Sequence, residues 1–402
     1  MKVLYVTHRM PFPPSDGARV RAFHCIDHLH RQGHEVTVAV PARNQAEMDA
    51  VPGLLAHCDR VLIDQVNAPM QSLRMVACLA GMRPSSMGYF HSRALARQIR
   101  EAVQTHGFDL ICVHSSSVAT YVEDIADVPK LLDFVDMDSQ KWLDYAGFKS
   151  FPLSLGYWLE GIKLERAERR LANRFDLNAV VTPGELASLE AIAPGSDNHW
   201  YPNGVNVEAC VPAPGEAEAH SLVFVGRMDY FPNQDAVVWF CDAVMPGLRA
   251  RYPDVRLYIV GADPTPVVRA LGDQAGITVT GTVPEVHSWV RRATVSIAPL
   301  KLARGMQNKI LEAMALQVPV VASPKPAQGV DAVVGEHLLA ADSAEDWIET
   351  LSRLFDDPKE RARLALAGRQ RVLEKHRWDT IMQDRFEPLI ARCIENFRAG
   401  KP

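Results

Sequence analysis

Short runs of consecutive apolar residues recur along the chain and alternate with longer segments whose apolar residues follow a helical period. Val3 to Thr7 is an apolar run of strand length, the Pro-rich loop His8 to Gly17 follows it, and Ala18 to Gln32 has helical spacing. The next apolar run is Val36 to Val40. Runs that lack a polar face are typical of strands inside a parallel sheet. The pattern therefore predicts an α/β fold.

The same alternation continues to the end of the chain and predicts two domains. Further strands are predicted at residues 60–63, 108–114, 131–135, 179–182, 221–225, 256–260, 277–280, 295–300, 318–321 and 338–340. Helices are predicted at residues 68–82, 95–105, 153–174, 232–248, 285–293, 307–316, 345–355, 359–376 and 378–397. A chain of 402 residues is too long for one ordinary core, and residues 207–220 have the Pro, Gly and Glu content of a linker. We expect two doubly wound, Rossmann-like domains, residues 1–206 and residues 207–377.

Composition and charge exclude several classes of protein. A net charge of −5 argues against a general nucleic-acid binder. The seven cysteines are scattered and form no Cys-x-x-Cys pair, which suits the reducing cytoplasm and indicates no metal site. The sequence begins directly with a strand pattern, and no apolar stretch reaches the length of a membrane span. We therefore expect a cytoplasmic protein.

The stretch from Val295 to Ser323 carries the most specific chemistry. It is predicted to be a strand, a loop with Gly305, a helix and a second strand, with the loop at the carboxyl end of a strand, where open α/β sheets bind ligands. Lys309 and Glu312 lie one helical turn apart and share a face. A lysine suits a diphosphate and a carboxylate suits a sugar hydroxyl. The alternative is an ordinary amphipathic helix with a surface ion pair.

This stretch resembles the nucleotide-sugar motif of the retaining glycosyltransferases of family 4. That motif is Glu, seven residues, Glu, then Ala-Met-Ala and a Pro-Val-Val strand, and Glu312, residues 313–315 and residues 319–321 fit it. The resemblance implies that Glu312 contacts the ribose of a donor. The first Glu of the motif is replaced by Arg304, so recognition of the donor sugar by a carboxylate is not implied.

The resemblance implies further donor contacts in the second half. Gly226-Arg227 is similar to the family's Gly-Arg-Leu, whose Arg contacts the diphosphate, but Pro232 stands where the family has a Lys. We infer that Lys309 supplies the second positive charge, and we expect Arg227 and Lys309 to be catalytic in stabilising the departing diphosphate. The expected donor-binding residues are Gly17, Gly226, Arg227, Gly261, Thr282, Val283, Arg304, Gly305, Met306, Lys309 and Glu312.

The first half offers weaker motifs for the reacting centre. His114 ends a predicted strand and matches the family's "Asp, three apolar residues, His" strand, whose His lies near the reacting sugar; a lone His is otherwise more often structural. Asp136 follows the next strand, as a cleft group or as a turn carboxylate. In the family the first loop approaches donor and acceptor, and Gly17 and Arg21 match it, although Gly17 alone reads as a turn residue.

Four local expectations concern helices. The Met-rich helix at residues 68–82 is either core-facing or an interfacial membrane helix. The Glu- and Arg-rich helix at residues 153–174 is expected to be a solvated charged surface. Asp138-Ser139 and Pro232-Asn233 are expected to cap helices. By resemblance, the C-terminal helix (residues 378–402) packs back on the first domain.

The resemblance covers the whole chain and implies the GT-B architecture, two Rossmann-like domains facing a central cleft. Within family 4 the chain looks closest to the exosortase/PEP-CTERM-associated exopolysaccharide sugar transferases, from residues 9–14 and residues 133–139. The implied activity is retaining transfer from a nucleotide sugar to a glycan or polyprenyl-linked acceptor, without a metal. Peripheral membrane contact through the N-terminal half is a second interpretation. The alternatives are a nucleotide-sugar epimerase or hydrolase, and a non-catalytic sugar-nucleotide sensor.

Arg304 leaves two alternatives for the donor. A guanidinium donates hydrogen bonds and accepts none, so it does not replace a carboxylate that accepts from sugar hydroxyls. Arg304 either recognises an anion, on a uronic acid or on the donor diphosphate, or points to solvent. We favour the diphosphate, because the lysine usual at position 232 is missing.

Overall fold

A computed structural model of the chain describes residues 1–14, 17–66, 71, 74, 75, 78, 81–213 and 217–400. The chain divides into two compact units, Met1–Tyr201 with Asp379–Pro402, and Pro202–Trp378. The predicted linker began at residue 207, whereas the division falls five residues earlier. The reason is that Asn203 already hydrogen-bonds within the second unit, to Met306 and His376.

The first unit contains a seven-stranded parallel sheet in the order β3-β2-β1-β4-β5-β6-β7. Its strands are β1 (Lys2–Thr7), β2 (Glu35–Ala42), β3 (Arg60–Gln65), β4 (Leu110–His114), β5 (Lys130–Val135), β6 (Leu177–Val180) and β7 (Asn198–Trp200). Every residue of β1 after Lys2, and all of β4, is buried, which explains why these strands have no polar face.

Helices of this unit connect the parallel strands. They are α1 (Gly17–Arg31), α2 (Gln45–Asp49), α3 (Val51–Leu54), α4 (Ser85–Tyr89), α5 (Arg93–His106), α6 (Ser116–Ala119), α7 (Asp138–Phe148), α8 (Leu153–Ala172) and α9 (Pro183–Ile192). α1 ends where Gly33 takes a positive φ of 78°, the usual way for a glycine to terminate a helix. Most of the predicted helix at residues 68–82 lies outside the described residues.

The second unit contains a six-stranded parallel sheet in the order β10-β9-β8-β11-β12-β13. Its strands are β8 (Ser221–Val225), β9 (Arg256–Val260), β10 (Ile277–Gly281), β11 (Val295–Ala298), β12 (Val320–Ala322) and β13 (Leu339–Ala340). Its helices are α10 (Phe231–Ala243), α11 (Met245–Arg251), α12 (Pro266–Leu271), α13 (Val286–Arg291), α14 (Asn308–Ala315), α15 (Pro324–Gln328), α16 (Ala344–Asp356) and α17 (Pro358–Lys375). The predicted α/β class with two Rossmann-like parallel sheets is confirmed.

The C-terminal segment is helical but not one regular helix. It consists of α18 (Trp378–Ile381), a π-helical turn at Met382–Phe386 and α19 (Glu387–Ala399). From Asp379 onward it belongs to the first unit, where Arg392 binds Asp197 through two hydrogen bonds of 2.7 and 2.8 Å.

Strand order places a topological switch in each sheet. In the first sheet the chain builds outward from β1 to β3 and then continues on the other side from β4, and the second sheet does the same at β8 and β11. Open α/β sheets bind ligands at the carboxyl ends of the strands that flank such a switch. The loops after β1, β4, β8 and β11 are therefore the first places to look for function.

Three local expectations were wrong. Helix α8 is not a purely solvated charged surface, because Glu160 and Glu168 are buried and accept hydrogen bonds from Ser85 and Ser139. α7 starts at Asp138, so this residue is the first helical residue and not a cap. The predicted helix at residues 232–248 is two helices, α10 and α11, and α10 already starts at Phe231.

Candidate functional site

The carboxyl edge of the second sheet collects most of the predicted donor residues. Gly226 and Arg227 follow β8, Gly261 follows β9, and Thr282 and Val283 follow β10. The loop after β11 contains Arg304, Gly305 and Met306, and it leads into α14, which carries Lys309 and Glu312. Loops from four neighbouring strands thus meet at one edge of the sheet. We call these loops, together with residues 308–312 of α14, the donor edge.

Two glycines allow strand ends at the donor edge to approach closely. Gly261 has a φ of +149°, and a Cβ there would lie only 1.8 Å from the carbonyl oxygen of Gly226. A Cβ at Gly226 would lie 2.6 Å from Nδ2 of Asn233 and 3.0 Å from Nζ of Lys309. A Cβ at Gly261 would collide with main chain, and a Cβ at Gly226 would displace the side chains of Asn233 and Lys309.

Contacts with Asn233 and Phe224 hold Lys309 in place at the donor edge. Its Nζ donates to Oδ1 of Asn233 at 2.9 Å and lies 4.1 Å from the centre of the Phe224 ring. Burial lowers the pKa of Lys309 to about 7, and Glu312 acts in the opposite direction. The ammonium is therefore partly deprotonated at neutral pH, and an arriving anion would favour its charged form.

Glu312 lies one turn further along α14 and is only partly buried. Burial raises the pKa of Glu312 to about 7, against the attraction of Lys309. Both Lys309 and Glu312 are half-buried, which does not fit the alternative of an exposed surface ion pair. Perturbed, paired groups at a strand edge are typical of ligand sites.

Arg227 is exposed and already engaged by carboxylates. Its guanidinium donates to Asp229 at 3.0 and 2.7 Å and to Asp263 at 2.7 Å. Its side chain is 56% exposed, so these ion pairs are weak and exchangeable. A diphosphate that binds Arg227 would compete with Asp229 and Asp263.

The loop after β11 is anchored by the turn that opens the second unit. Asn203 donates from its main-chain nitrogen to the sulfur of Met306 at 3.3 Å and from Nδ2 to Oδ1 of Asn308 at 3.1 Å. Gly305 takes a φ of 65°. Arg304 is half-buried, and its carbonyl oxygen accepts from Gln307 at 3.3 Å. The loop is therefore fixed on the C-terminal side of Arg304.

His114 in the first unit is enclosed. It is 1% exposed, and its Nδ1 lies 3.7 Å from Oδ2 of Asp133. His8, which follows β1, stacks on His114 with ring centres 5.8 Å apart. Burial, reinforced by His114, lowers the pKa of His8 well below its usual range, which favours the neutral ring. The two imidazoles flank the switch point of the first sheet.

Arg21 does not face an acceptor, which corrects its sequence assignment. The side chain is wholly buried in a hydrogen-bond network, with Nε donating to Oδ2 of Asp133 at 2.7 Å and Nη1 donating to the carbonyl oxygen of Tyr201 at 3.0 Å. Burial acts to raise the pKa of Asp133, but Arg21 outweighs it and holds the pKa well below its usual range. Arg21 thus ties α1 to β5 and to the end of the first unit.

Asp136 and Gly17, both in the first unit, differ in their exposure to solvent. Asp136 is half-buried just after β5, and among the described residues its Oδ1 has no hydrogen-bond partner. Burial raises the pKa of Asp136 to about 7, and repulsion by Glu185 adds to it. A carboxyl group with such a pKa can exchange a proton at neutral pH. Gly17 is the exposed first residue of α1.

Comparison with known proteins identifies both halves of the chain. Residues 15–209 match the family described as Glycosyltransferase Family 4, and residues 219–357 match Glycosyl transferases group 1. The chain carries glycosyltransferase domains of family 4 and group 1. The predicted transferase class is thus confirmed, and this glycosyltransferase is of the group 1 type.

Related proteins and solved structures extend over nearly the whole glycosyltransferase. It is 25% identical over 381 residues to a phosphatidyl-myo-inositol mannosyltransferase of Mycolicibacterium smegmatis, covering 92% of this chain and 88% of that one. Sucrose-phosphate synthase of Thermosynechococcus elongatus has the same fold, with a TM-score of 0.74 at 17% identity over 97% of this chain and all of that one. Anabaena HepE, solved with UDP and glucose, has a TM-score of 0.69 at 16% identity, covering 97% and 99%.

The sequence did not identify residues that position the predicted site residues through side-chain contacts. Asn233 and Phe224 contact Lys309, and Asp263 binds Arg227. The fold brings each of the three to its partner from a distant part of the sequence, so no local motif indicates the contact. His8 had a local signal, because it directly follows the first strand as His114 ends the fourth.

Proposed function

We propose that this glycosyltransferase moves a sugar, with retention of its anomeric configuration, from a nucleotide-diphosphate sugar to a lipid-linked glycan or polyprenyl-linked acceptor in the biosynthesis of exopolysaccharide or another cell-surface polysaccharide. The observation that carries the proposal is Lys309, held by Asn233 at 2.9 Å, with Glu312 one turn away on the same helix, at the sheet edge that also carries Arg227. The relatives' names support the acceptor class, because one acts on phosphatidyl-myo-inositol. HepE with UDP and glucose supports the donor class.

Charge at the donor edge supplies the chemistry in this proposal. Arg227 and Lys309 neutralise the charge that develops on the diphosphate as the bond to the sugar breaks, an electrostatic role that is often the largest in such sites. Glu312 accepts hydrogen bonds from the ribose. Front-face attack by the acceptor within the resulting ion pair gives retention. The proposed reaction uses these two protein cations on the diphosphate and no metal ion.

We place the reaction in the cytoplasm. All seven cysteines are free, which suits a reducing compartment. Among the described residues, none of the helices has the combination of length and apolarity needed to cross a bilayer. A lipid-linked acceptor would then be met at the inner face of the plasma membrane.

The first experiment screens UDP, GDP, TDP and ADP for thermal stabilisation, and then offers the matching labelled sugar donors with polyprenyl-linked acceptors. We expect one nucleotide to bind and its sugar to pass into the lipid fraction, with EDTA having no effect. Glu312→Gln removes a charge-assisted acceptor, and such hydrogen bonds contribute about 1.5–3 kcal/mol each. It should therefore weaken nucleotide binding at least tenfold.

Other outcomes identify the competing functions. Nucleotide binding without turnover of any donor would indicate a sensor, and release of free sugar whether or not acceptor is present would indicate a hydrolase. Unchanged nucleotide binding by Glu312→Gln in calorimetry would remove the ribose assignment.

A further inference from the structure

The side-chain amide of Asn233 joins two segments of the donor edge. Asn233 lies in the first turn of α10 and is 6% exposed. Its Nδ2 donates to the main-chain carbonyl oxygen of Arg227 at 2.8 Å, and its Oδ1 accepts from Nζ of Lys309 at 2.9 Å. One buried group therefore contacts both the loop after β8 and helix α14, the two segments that carry the cations expected to bind a diphosphate.

An amide suits both of these contacts, whereas other side chains of the same shape do not. A carbonyl oxygen only accepts hydrogen bonds, and an ammonium only donates them. A side chain between the two must therefore offer one donor and one acceptor, which also fixes the direction in which the amide of Asn233 faces. An ionised carboxylate would accept from Lys309 but repel the carbonyl oxygen of Arg227, and an aliphatic side chain would serve neither.

The main chain at Arg227 is held on its other side by the loop after β9. The main-chain nitrogens of the two residues that flank Arg227 donate to the carbonyl oxygens of Val260 and Ala262, at 3.0 and 2.8 Å. The peptide group that follows Arg227 is thus bonded at its nitrogen to Ala262 and at its oxygen to Asn233. These contacts fix the point from which the arginine side chain extends, while the side chain itself is 56% exposed.

The ammonium of Lys309 is held in place without being neutralised. Among the residues that the structure describes, its hydrogen-bond acceptor is Oδ1 of Asn233. The ring of Phe224 lies on another side, 4.1 Å from Nζ, and the absence of a Cβ at Gly226 leaves room for the ammonium. Because an ammonium has three N–H groups, Lys309 keeps donors for an anionic ligand.

The charge of Lys309 depends on its surroundings. Burial lowers the pKa of Lys309 to about 7, and Glu312 on the same helix acts in the opposite direction. The phenyl ring and the amide that contact the ammonium do not titrate. The charged groups on the adjoining loops after β8 and β9 include Arg227, Asp229 and Asp263, which pair with one another. A hydrogen bond to the charged form favours that form, so the amide oxygen favours the ammonium.

We propose that Asn233 is the positioning residue of the diphosphate site, because its amide sets the main chain of Arg227 and the ammonium of Lys309 so that both cations bind one diphosphate. The two contacts share one planar group, so an amide that turns to follow one of them breaks the other. This inference rests on the nucleotide-sugar donor proposed above and adds the group that couples its two cations. Replacing Asn233 should therefore change the protonation of Lys309 as well as the affinity for nucleotide.

The first measurement follows the ε-carbon signals of isotopically labelled lysine by NMR in the full chain, without nucleotide, as the pH is raised. The signal of Lys309 is the one that Lys309→Gln lacks. We expect Asn233→Asp to raise the pKa of Lys309 by about 1 pH unit or more, because an opposite charge stabilises the ammonium. Asn233→Leu removes the acceptor and should lower that pKa.

Gln234→Leu is the matched control for this titration. Gln234 is the next residue of α10, and its amide oxygen accepts from Thr265 at 3.4 Å, so the control removes an amide contact that does not involve Lys309. Lys309 should titrate in this control as it does in the parent. Urea unfolding checks that each variant is folded, and the isosteric Asn233→Asp decides the matter if Asn233→Leu does not fold.

The second measurement is calorimetry with the nucleoside diphosphate that stabilises the parent best among UDP, GDP, TDP and ADP. Both substitutions of Asn233 should weaken binding at least tenfold at pH 7. The pH above which affinity falls should move up in Asn233→Asp and down in Asn233→Leu. A residue that only supports packing would weaken binding without moving this pH in opposite directions.

Two results would overturn the proposal at Asn233 alone. One is a titration of Lys309 that is the same in the parent, Asn233→Asp and Asn233→Leu. The other is a control, Gln234→Leu, that shifts the titration as much as the substitutions of Asn233 do. A parent that binds none of the four nucleotides would instead overturn the proposed donor site and, with it, the diphosphate role of Asn233. The two failures are distinguishable, because the titration needs no nucleotide.

Discussion

At the residue scale, the charge state of Lys309 links nucleotide binding to pH. Desolvation of the half-buried ammonium group lowers the pKa of Lys309 in the free protein to about 7. A bound diphosphate favours the ammonium and raises that pKa again. The binding contribution is thus complete below the free pKa and is lost as pH rises through the bound pKa, so affinity should fall above pH 7.

We expect nucleoside diphosphate binding at pH 8 to take up as much as one proton. The measurement is calorimetry in two buffers of different ionisation enthalpy, since the difference in heat counts protons. Phosphate groups, with a second pKa of about 6, are already ionised there. Lys309→Gln should bind more weakly and take up none. Equal proton uptake by parent and variant would show that another group titrates.

Arg304 is the residue at which this chain departs from the nucleotide-sugar motif of family 4. Asn203 fixes the loop that carries it at Met306 and Asn308. We therefore expect a change of charge at position 304 to act on groups near this loop. If Arg304 serves the diphosphate, Arg304→Glu should weaken nucleotide binding at least tenfold. The loss should be larger at low salt, where repulsion is less screened. Arg304→Gln is the neutral control. A glutamate variant with parental binding and turnover would exclude Arg304 from the site.

At the scale of elements, the donor edge depends on where strands end. β8 and β9 approach each other through Gly226 and Gly261, and the nitrogen of Gly226 donates to the carbonyl oxygen of Val260 at 3.0 Å. This contact brings Arg227 and the carboxylate of Asp263 to the same place. Main-chain contacts therefore set the distance between the ends of β8 and β9 at the donor edge.

Gly261→Ala should therefore both destabilise the second unit and weaken nucleotide binding. The new Cβ meets the oxygen of Gly226 and also strains the positive φ. Gly335→Ala is the matched control, because Gly335 has a φ of 89° but open space around its Cβ position. The control should lose about 1–2 kcal/mol of unfolding free energy, the usual penalty for a left-handed residue. Urea unfolding of both variants measures the difference, and equal losses would contradict a steric cause.

The sequence predicted the elements that depend on a pattern of neighbouring residues. Apolar runs located β1, β4, β8 and β9 within two residues, because a buried parallel strand must be apolar on both faces. It did not predict which charged residues of α8 turn inward, since Glu160 and Glu168 are buried by partners on α4 and α7. The burial of Arg21 was missed for the same reason. Its partner Asp133 is 112 residues away.

At the scale of the whole molecule, the two units carry different parts of the proposed reaction. The groups suited to a nucleoside diphosphate lie on the second sheet, whereas His8, His114 and Asp136 lie at strand ends of the first. Substitutions in the two units should therefore give different kinetic results. Those at the donor edge change nucleotide affinity, and those in the first unit change turnover.

His114 provides the decisive case, because its ring is buried and a structural role competes with a catalytic one. We expect His114→Ala to lower kcat at least tenfold while calorimetry finds nucleotide affinity within a few-fold of the parent. The reason is that the ring lies at the switch point of the first sheet, outside the unit that we propose binds the nucleotide. His114→Asn keeps a polar group and fills most of the space, so it separates loss of chemistry from loss of packing. If the alanine variant unfolds at lower temperature while His114→Asn keeps parental turnover, the histidine is structural, and the chemistry of the first unit must be sought at His8 or Asp136.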